Sequence, residues 1–226
     1  MYKIKTLNSI SPVIHEVLSA GQYVVSNEEP TPDAILVRSA AMHDMELPDS
    51  LLAIARAGAG TNNIPIDKCS EKGIVVFNTP GANANAVAEL VIAGLLLSSR
   101  DIAGGIAWVK ESKDEPGLEK LVEKKKSQFV GPELRGKKLA VIGLGAIGAL
   151  VANAAAQGLG MEVVGYDPYI SVAHAWALSR AIHRADAMED AVKDADYITF
   201  HIPLMDTTRG TINAAFIKSL KKACAS

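Results

Sequence analysis

From Lys3 to about Thr79, short β-branched runs alternate with stretches of helical periodicity. Lys3–Leu7, Tyr23–Ser26, Ala34–Val37, Leu52–Ala55 and Ile74–Phe77 are bounded by turn residues such as Glu29-Pro30, Leu47-Pro48 and Lys72-Gly73, and are predicted as strands. Pro12–Ala20 and Ile66–Glu71 are predicted as helices. The second opens at Pro65, whose missing N–H costs nothing at a helix start. Strand–helix alternation of this kind predicts a parallel sheet covered by helices on both faces. Ala84 to about Lys110 reads as one long helix, with Val87, Leu90, Val91, Leu95 and Ile102 at helical spacing. It is apolar on more than one side, so it is expected to be buried between layers, and the passage from a first domain (1–98) to a second (99–226) is placed in it. Glu111–Gly131 is a polar interlude, and Lys124-Lys125-Lys126 reads as a solvated helix face.

Beyond Lys138 the pattern sharpens. Leu139–Ile142 is a buried strand, Gly143–Gly148 a glycine turn, and Ala146–Gln157 an alanine-rich helix stopped by Gly158. Met161–Tyr166 is the next strand. Val172–Ser179 (helix), a short strand near Ile182, Met188–Lys193 (helix) and Tyr197–His201 (strand) follow, then a helix from Asn213 as N-cap toward Lys222.

Composition narrows the partners. The 226 residues are 49% hydrophobic and 21% charged, with 23 basic against 25 acidic side chains, an ordinary globular balance. A net charge of -2 argues against a nucleic-acid partner, which needs a basic excess on one face. The apolar run Val87–Ser98 is interrupted by Glu89 and too short to cross a bilayer, so no membrane partner is expected. Cys69 and Cys224 form neither a disulfide pattern nor a metal-type pair, and the N-terminus lacks a signal-peptide pattern. A cytoplasmic location is the expectation, with no metal site.

Gly143-Leu144-Gly145-Ala146-Ile147-Gly148 follows a strand and opens a helix. In such a turn the first glycine allows the reversal, the second lets a pyrophosphate approach the backbone, and the third lets helix and strand pack closely. Asp167 ends the next strand, 19 residues after Gly148, where a carboxylate meets the ribose hydroxyls. It also repels a 2′-phosphate, so the expected cofactor is NAD rather than NADP. In the first half, Arg38-Ser39 and the glycine-rich Arg56-Ala57-Gly58-Ala59-Gly60 each follow a strand, at the carboxyl edge where open α/β sheets bind ligands. A guanidinium there can hold a carboxylate or phosphate.

Arg56–Ile64, Asn78-Thr79-Pro80-Gly81-Ala82-Asn83, Val87-Ala88-Glu89, the glycine fingerprint, His201-Ile202-Pro203-Leu204 and Thr207–Asn213 together resemble the NAD-dependent D-2-hydroxyacid dehydrogenases. Gly81–Val87 is most similar to the phosphoglycerate dehydrogenases of that family. The resemblance implies a flavodoxin-like substrate domain followed by a doubly wound (Rossmann) domain, incomplete at its C-terminal side. It implies NAD-dependent oxidation of a D-2-hydroxyacid, most like D-3-phosphoglycerate to 3-phosphohydroxypyruvate, by a homodimer. Hydroxypyruvate/glyoxylate or lactate substrates, or a non-catalytic NAD-binding protein of this fold, are the alternatives. Ala146, Ile147 and Asp167 would contact NAD beside Gly143, Gly145 and Gly148; Thr199, His201, Pro203 and Thr208 would line its nicotinamide side. Arg38, Ser39, Ala59 and Gly60 would hold the small-molecule hydroxyacid or oxoacid. The family's carbonyl-polarising Arg, its acid–base His and the paired carboxylate match no position here. The chain is therefore expected to be truncated and inactive by itself, with no catalytic residue of its own.

Overall fold

The computed structural model describes residues 1–221, and their strands fall into two parallel sheets belonging to two compact units, Met1–Asn83 and Ala84–Ser226. The expected residue Cys224 lies outside the described residues, and the helix expected from Asn213 toward Lys222 already ends at Ser219, where Leu220 turns to extended backbone.

In the first unit, β1 (Tyr2–Leu7), β2 (Tyr23–Ser26), β3 (Ala34–Val37), β4 (Ala53–Arg56) and β5 (Val75–Asn78) form a sheet in the order β2-β1-β3-β4-β5. This is the flavodoxin-like order, with all pairs parallel. The register Ile35↔Ile54↔Val76 sets three apolar side chains in one row. They pack against Ile64 and Cys69, the latter from α2 (Ile66–Glu71). Burial pushes the Cys69 thiol up, which suits a core residue and not a nucleophile. β4 and β5 start one residue later than predicted, because pairing begins where Ala53 meets Ala34, leaving Leu52 exposed. The helix predicted over Pro12–Ala20 contracts to α1 (Ile14–Val17). No side chain caps its start, and Leu18 is already extended.

The second unit begins with α3 (Ala84–Ser99). The single helix expected from Ala84 to Lys110 is in fact two: α4 (Ile102–Ser112) turns away by 67°. The break has a local cause. Asp101 caps α4 by accepting a hydrogen bond from Gly104 N, which apolar spacing alone does not reveal. Neither helix alone is long and apolar enough to cross a membrane. Ala88 and Leu95 of α3 join the core of the second sheet, which is why the division falls at Asn83/Ala84 rather than at the expected 98/99. The polar interlude contains α5 (Leu118–Lys125), started by the left-handed Gly117, and Lys124–Lys126 are exposed.

β6 (Lys138–Ile142), β7 (Glu162–Tyr166), β8 (Ile182–Arg184) and β9 (Tyr197–Phe200) form a parallel sheet in the order β8-β7-β6-β9. β6 explains the layering through its alternation. Leu139 and Val141 point to one face, into a core with α3 and α6 (Ala146–Asn153). Ala140 and Ile142 point to the other, against α8 (Met188–Val192). On that second face α9 (Ala214–Ser219), capped by Asn213, sets Phe216 edge-on to Phe200 at 5.7 Å. A strand buried on both sides needs an unbroken apolar run, and Leu-Ala-Val-Ile supplies it. α7 (Val172–Ala177) crosses between β7 and β8, capped by Ser171.

Candidate functional site

β6 ends at Ile142, and the chain must reverse into α6 within three residues. Gly143 makes the reversal at φ 91°, a conformation side chains rarely adopt. Its N–H donates to the Tyr166 carbonyl (2.8 Å), and a Cβ would lie 2.8 Å from the His201 carbonyl oxygen. The turn is thus wedged between the ends of β7 and β9. Gly148 is buried in the first turn of α6, where a Cβ would fall 1.9 Å from the Gly143 carbonyl oxygen. Gly145 is different: a Cβ there would meet nothing within 4 Å. That open space lies at the start of α6, whose first N–H groups no side chain caps. Free donors, the positive end of a helix dipole and room for close approach are what a pyrophosphate requires.

Asp167 faces the same turn from the end of β7. Its Oδ2 accepts from Leu144 N (2.8 Å) and its Oδ1 from Tyr169 N (2.9 Å). A carboxylate accepts about four hydrogen bonds, so these two leave capacity for two ribose hydroxyls.

Gly143, Gly145, Asp167, His201, Pro203 and Thr208 line one cleft of about 680 Å³. Ala146, Ile147 and Gly148 continue behind it as the first turn of α6. Thr199 does not line the cleft; its Oγ1 lies 3.0 Å from His201 Nε2 and fixes that ring. Thr208 lines it, but its hydroxyl is engaged, donating to the Pro203 carbonyl (2.6 Å) and accepting from Met205 N (2.8 Å). It therefore shapes the loop rather than offering a hydroxyl. Tyr169, Met188 and Glu189 also line the cleft and were not anticipated. Asp167-Pro168-Tyr169 reads as an Asx turn and could have flagged Tyr169. Met188 and Glu189 arrive only because the sheet order brings the start of α8 there.

His201 is half-buried, and burial pushes its pKa below the usual 6.5. Its ring is expected to titrate by NMR with a midpoint under that value. Below its ordinary pKa the unfolded chain binds the proton more readily, so the second unit should lose stability as pH falls from about 6.5. A midpoint at or above 6.5 would contradict the burial of the ring.

A second cluster occupies the carboxyl edge of the first sheet. Arg56, at the end of β4, is spent inside the protein: Nε donates to the Arg38 carbonyl (3.1 Å) and a terminal guanidinium N–H to the Gly60 carbonyl. The guanidinium lies so close to the loop that a Cβ at Gly58 or Gly60 would come within 3.2 Å of it. Asn78 Nδ2 donates to the Ala59 carbonyl (2.6 Å), and Thr79 Oγ1 accepts from Gly58 N (2.9 Å). The carbonyls of Ala59 and Gly60 are thus taken, while their N–H groups have no partner among the described residues. Arg38 and Ser39 are exposed, and the Arg38 guanidinium makes no hydrogen bond or ion pair with any described residue. A fixed backbone with unsatisfied donors beside an unpartnered guanidinium can bind an anion.

The second unit, with its 3-2-1-4 strand order, glycine turn and strand-end carboxylate, is a dinucleotide-binding fold of the Rossmann class. Residues 92–225 match the D-isomer specific 2-hydroxyacid dehydrogenase NAD-binding domain, and the chain belongs to that family. Its cofactor is accordingly NAD. The chain is 37% identical over 193 residues to D-3-phosphoglycerate dehydrogenase of Methanocaldococcus jannaschii, covering 84% of this chain and 34% of that protein. It is 37% identical over 195 residues to hydroxypyruvate reductase of Thermotoga maritima, covering 85% and 58%. The chain therefore spans about a third of the length of the phosphoglycerate dehydrogenases it matches. Among solved structures, NAD⁺-bound 3-phosphoglycerate dehydrogenase of Entamoeba histolytica superposes with a TM-score of 0.71 at 26% identity, over 97% of this chain and 68% of that one. D-mandelate dehydrogenase of Rhodotorula graminis, at 24% identity and a TM-score of 0.76 over 97% and 71%, shares the fold.

Proposed function

We propose that the protein carrying this sequence oxidises a D-2-hydroxyacid with NAD, and that the hydroxyacid is D-3-phosphoglycerate, giving 3-phosphohydroxypyruvate. The observation that carries this reading is that the Arg38 segment and the Ala59–Gly60 loop are tied together through Arg56, while the Arg38 guanidinium and the Ala59 and Gly60 N–H groups have no partner among the described residues. An anion carrying both a carboxylate and a phosphate suits such a site, and the relatives named D-3-phosphoglycerate dehydrogenase support the choice. NAD, when bound, supplies the hydride acceptor. The chain's own residues position it: Gly145 and the start of α6 receive the pyrophosphate, Asp167 the ribose, and the wedged His201 backbone holds the turn in place. The hydroxypyruvate reductase of Thermotoga maritima keeps D-glycerate as the second reading.

The test, on the whole protein that carries this sequence, is NADH formation from D-3-phosphoglycerate, with D-glycerate and D-lactate alongside; preference for an unphosphorylated acid would reject the first reading. Arg38→Ala should raise KM for phosphoglycerate about tenfold or more, since a charge-assisted hydrogen bond contributes about 1.5–3 kcal/mol. An unchanged KM in a folded variant would make Arg38 an ordinary surface residue.

A further inference from the structure

We propose that Asn8 is a positioning residue for the anion site, acting through Arg38; this rests on the substrate reading above. Asn8 directly follows β1, and the pairing Leu7↔Val37 sets it beside Arg38. Among the described residues it is the one non-glycine with a left-handed backbone, at φ 66°. Asparagine is one of the few side chains that tolerates this conformation. There its carboxamide reaches the next strand, where Oδ1 accepts from both Ser39 N (2.9 Å) and Ala40 N (2.5 Å).

Two consecutive N–H groups converging on one oxygen is how a backbone concavity holds an anion. Asn8 fills that concavity from within. The donors after Arg38 are therefore closed to a ligand, and in this segment the Arg38 guanidinium and Ser39 hydroxyl remain as groups without partners among the described residues. The Arg38 carbonyl is held from the opposite side by Arg56, so the segment is clamped at both flanks and the guanidinium starts from a fixed root. The charge state matters as well. An aspartate would accept the same two bonds but would add a negative charge beside Arg38, opposing the anion that Arg38 attracts. A neutral carboxamide closes the backbone without that penalty.

Asn8→Gly is the informative variant, because glycine takes φ 66° without strain and loses only the acceptor. NMR on the 226-residue chain reads both consequences. Amide exchange at Ser39 and Ala40 should accelerate about tenfold or more as the segment opens locally. The dissociation constant for D-3-phosphoglycerate should rise about tenfold, the size expected for a misplaced charge-assisted bond. Asn8→Asp should keep the slow exchange yet weaken binding, most at low salt, because the added charge is screened as salt rises. In an Arg38→Ala background, Asn8→Gly should add less than about twofold, since residues acting through one another are not additive. Equal losses in both backgrounds, or fast exchange with unchanged affinity, would overturn the positioning role. If Arg38→Ala alone leaves the affinity unchanged, or the parent chain shows no saturable binding, the substrate reading itself is what fails.

Discussion

Gly148→Val should strongly destabilise the second unit, whereas Gly145→Ala three residues away should leave it folded and weaken NAD binding about a hundredfold. The difference lies in what each added carbon meets. At Gly148 a Cβ would stand 1.9 Å from the Gly143 carbonyl oxygen and 2.9 Å from its carbon, with Val141 Cγ1 at 3.4 Å. The first two are backbone atoms, held by the Gly143 hydrogen bond to Tyr166 and by the end of β9, so they cannot yield. The helix must lift from β6, exposing part of the core that Leu139, Val141 and Val151 form. A backbone collision of this kind costs on the order of 4 kcal/mol or more. At about 2–4 °C per kcal/mol for a chain of this size, Tm should fall by roughly 8–16 °C. At Gly145 no atom lies within 4 Å, so the methyl occupies only the space a pyrophosphate needs. Its thermal transition should stay within a few degrees of the parent while NAD affinity drops about a hundredfold, the effect of losing one or two charge-assisted bonds at about 1.5–3 kcal/mol each. Differential scanning fluorimetry with an NADH fluorescence titration separates the two. A stable Gly148→Val protein would mean that α6 packs more loosely on β6 than these distances describe.

Asp167→Ala should reduce NAD affinity about ten- to a hundredfold without producing an NADP-selective protein. Losing the carboxylate removes the repulsion of a 2′-phosphate, so the gap between the two cofactors narrows. The same change strips the acceptor from Leu144 N, inside the glycine turn, and from Tyr169 N. A half-buried N–H left without a partner costs about 1–3 kcal/mol, and here the cost falls on the geometry that binds both cofactors. Asp167→Asn, which keeps one acceptor and loses the charge, should bind NAD better than the alanine variant and show a smaller preference over NADP than the parent. Fluorescence titration with both reduced cofactors decides this. NADP binding by the alanine variant at the parent's NAD affinity would show that Asp167 discriminates by charge alone.

Some of this was written locally in the chain. β2, β3 and α2 stand where alternation and the opening Pro65 predicted them, since each boundary is set by residues inside or next to the element. The places of the glycine turn, Asp167 and Arg38 were legible for the same reason: each stands at a strand end, and parallel pairing brings such ends to one edge within each sheet. The tertiary structure decided matters that depend on partners far away in sequence. α3 and α4 share one apolar pattern, yet a single carboxylate at Asp101 separates them, and the core that α3 joins determines which unit it serves. The resemblance implied that Thr208 lines the nicotinamide side, but whether its hydroxyl is open to a ligand depended on the carbonyl of Pro203. Arg56 and Arg38 look alike as arginines after strands; only the loop folding back over Arg56 made one a structural clasp and left the other unpartnered. Asn8 carries no motif, and its role exists because β1 and β3, 30 residues apart at their paired positions Leu7 and Val37, lie side by side. Periodicity and turn chemistry are properties of a few consecutive residues, whereas the use of a hydrogen-bonding group is settled by whichever distant backbone the packing delivers to it.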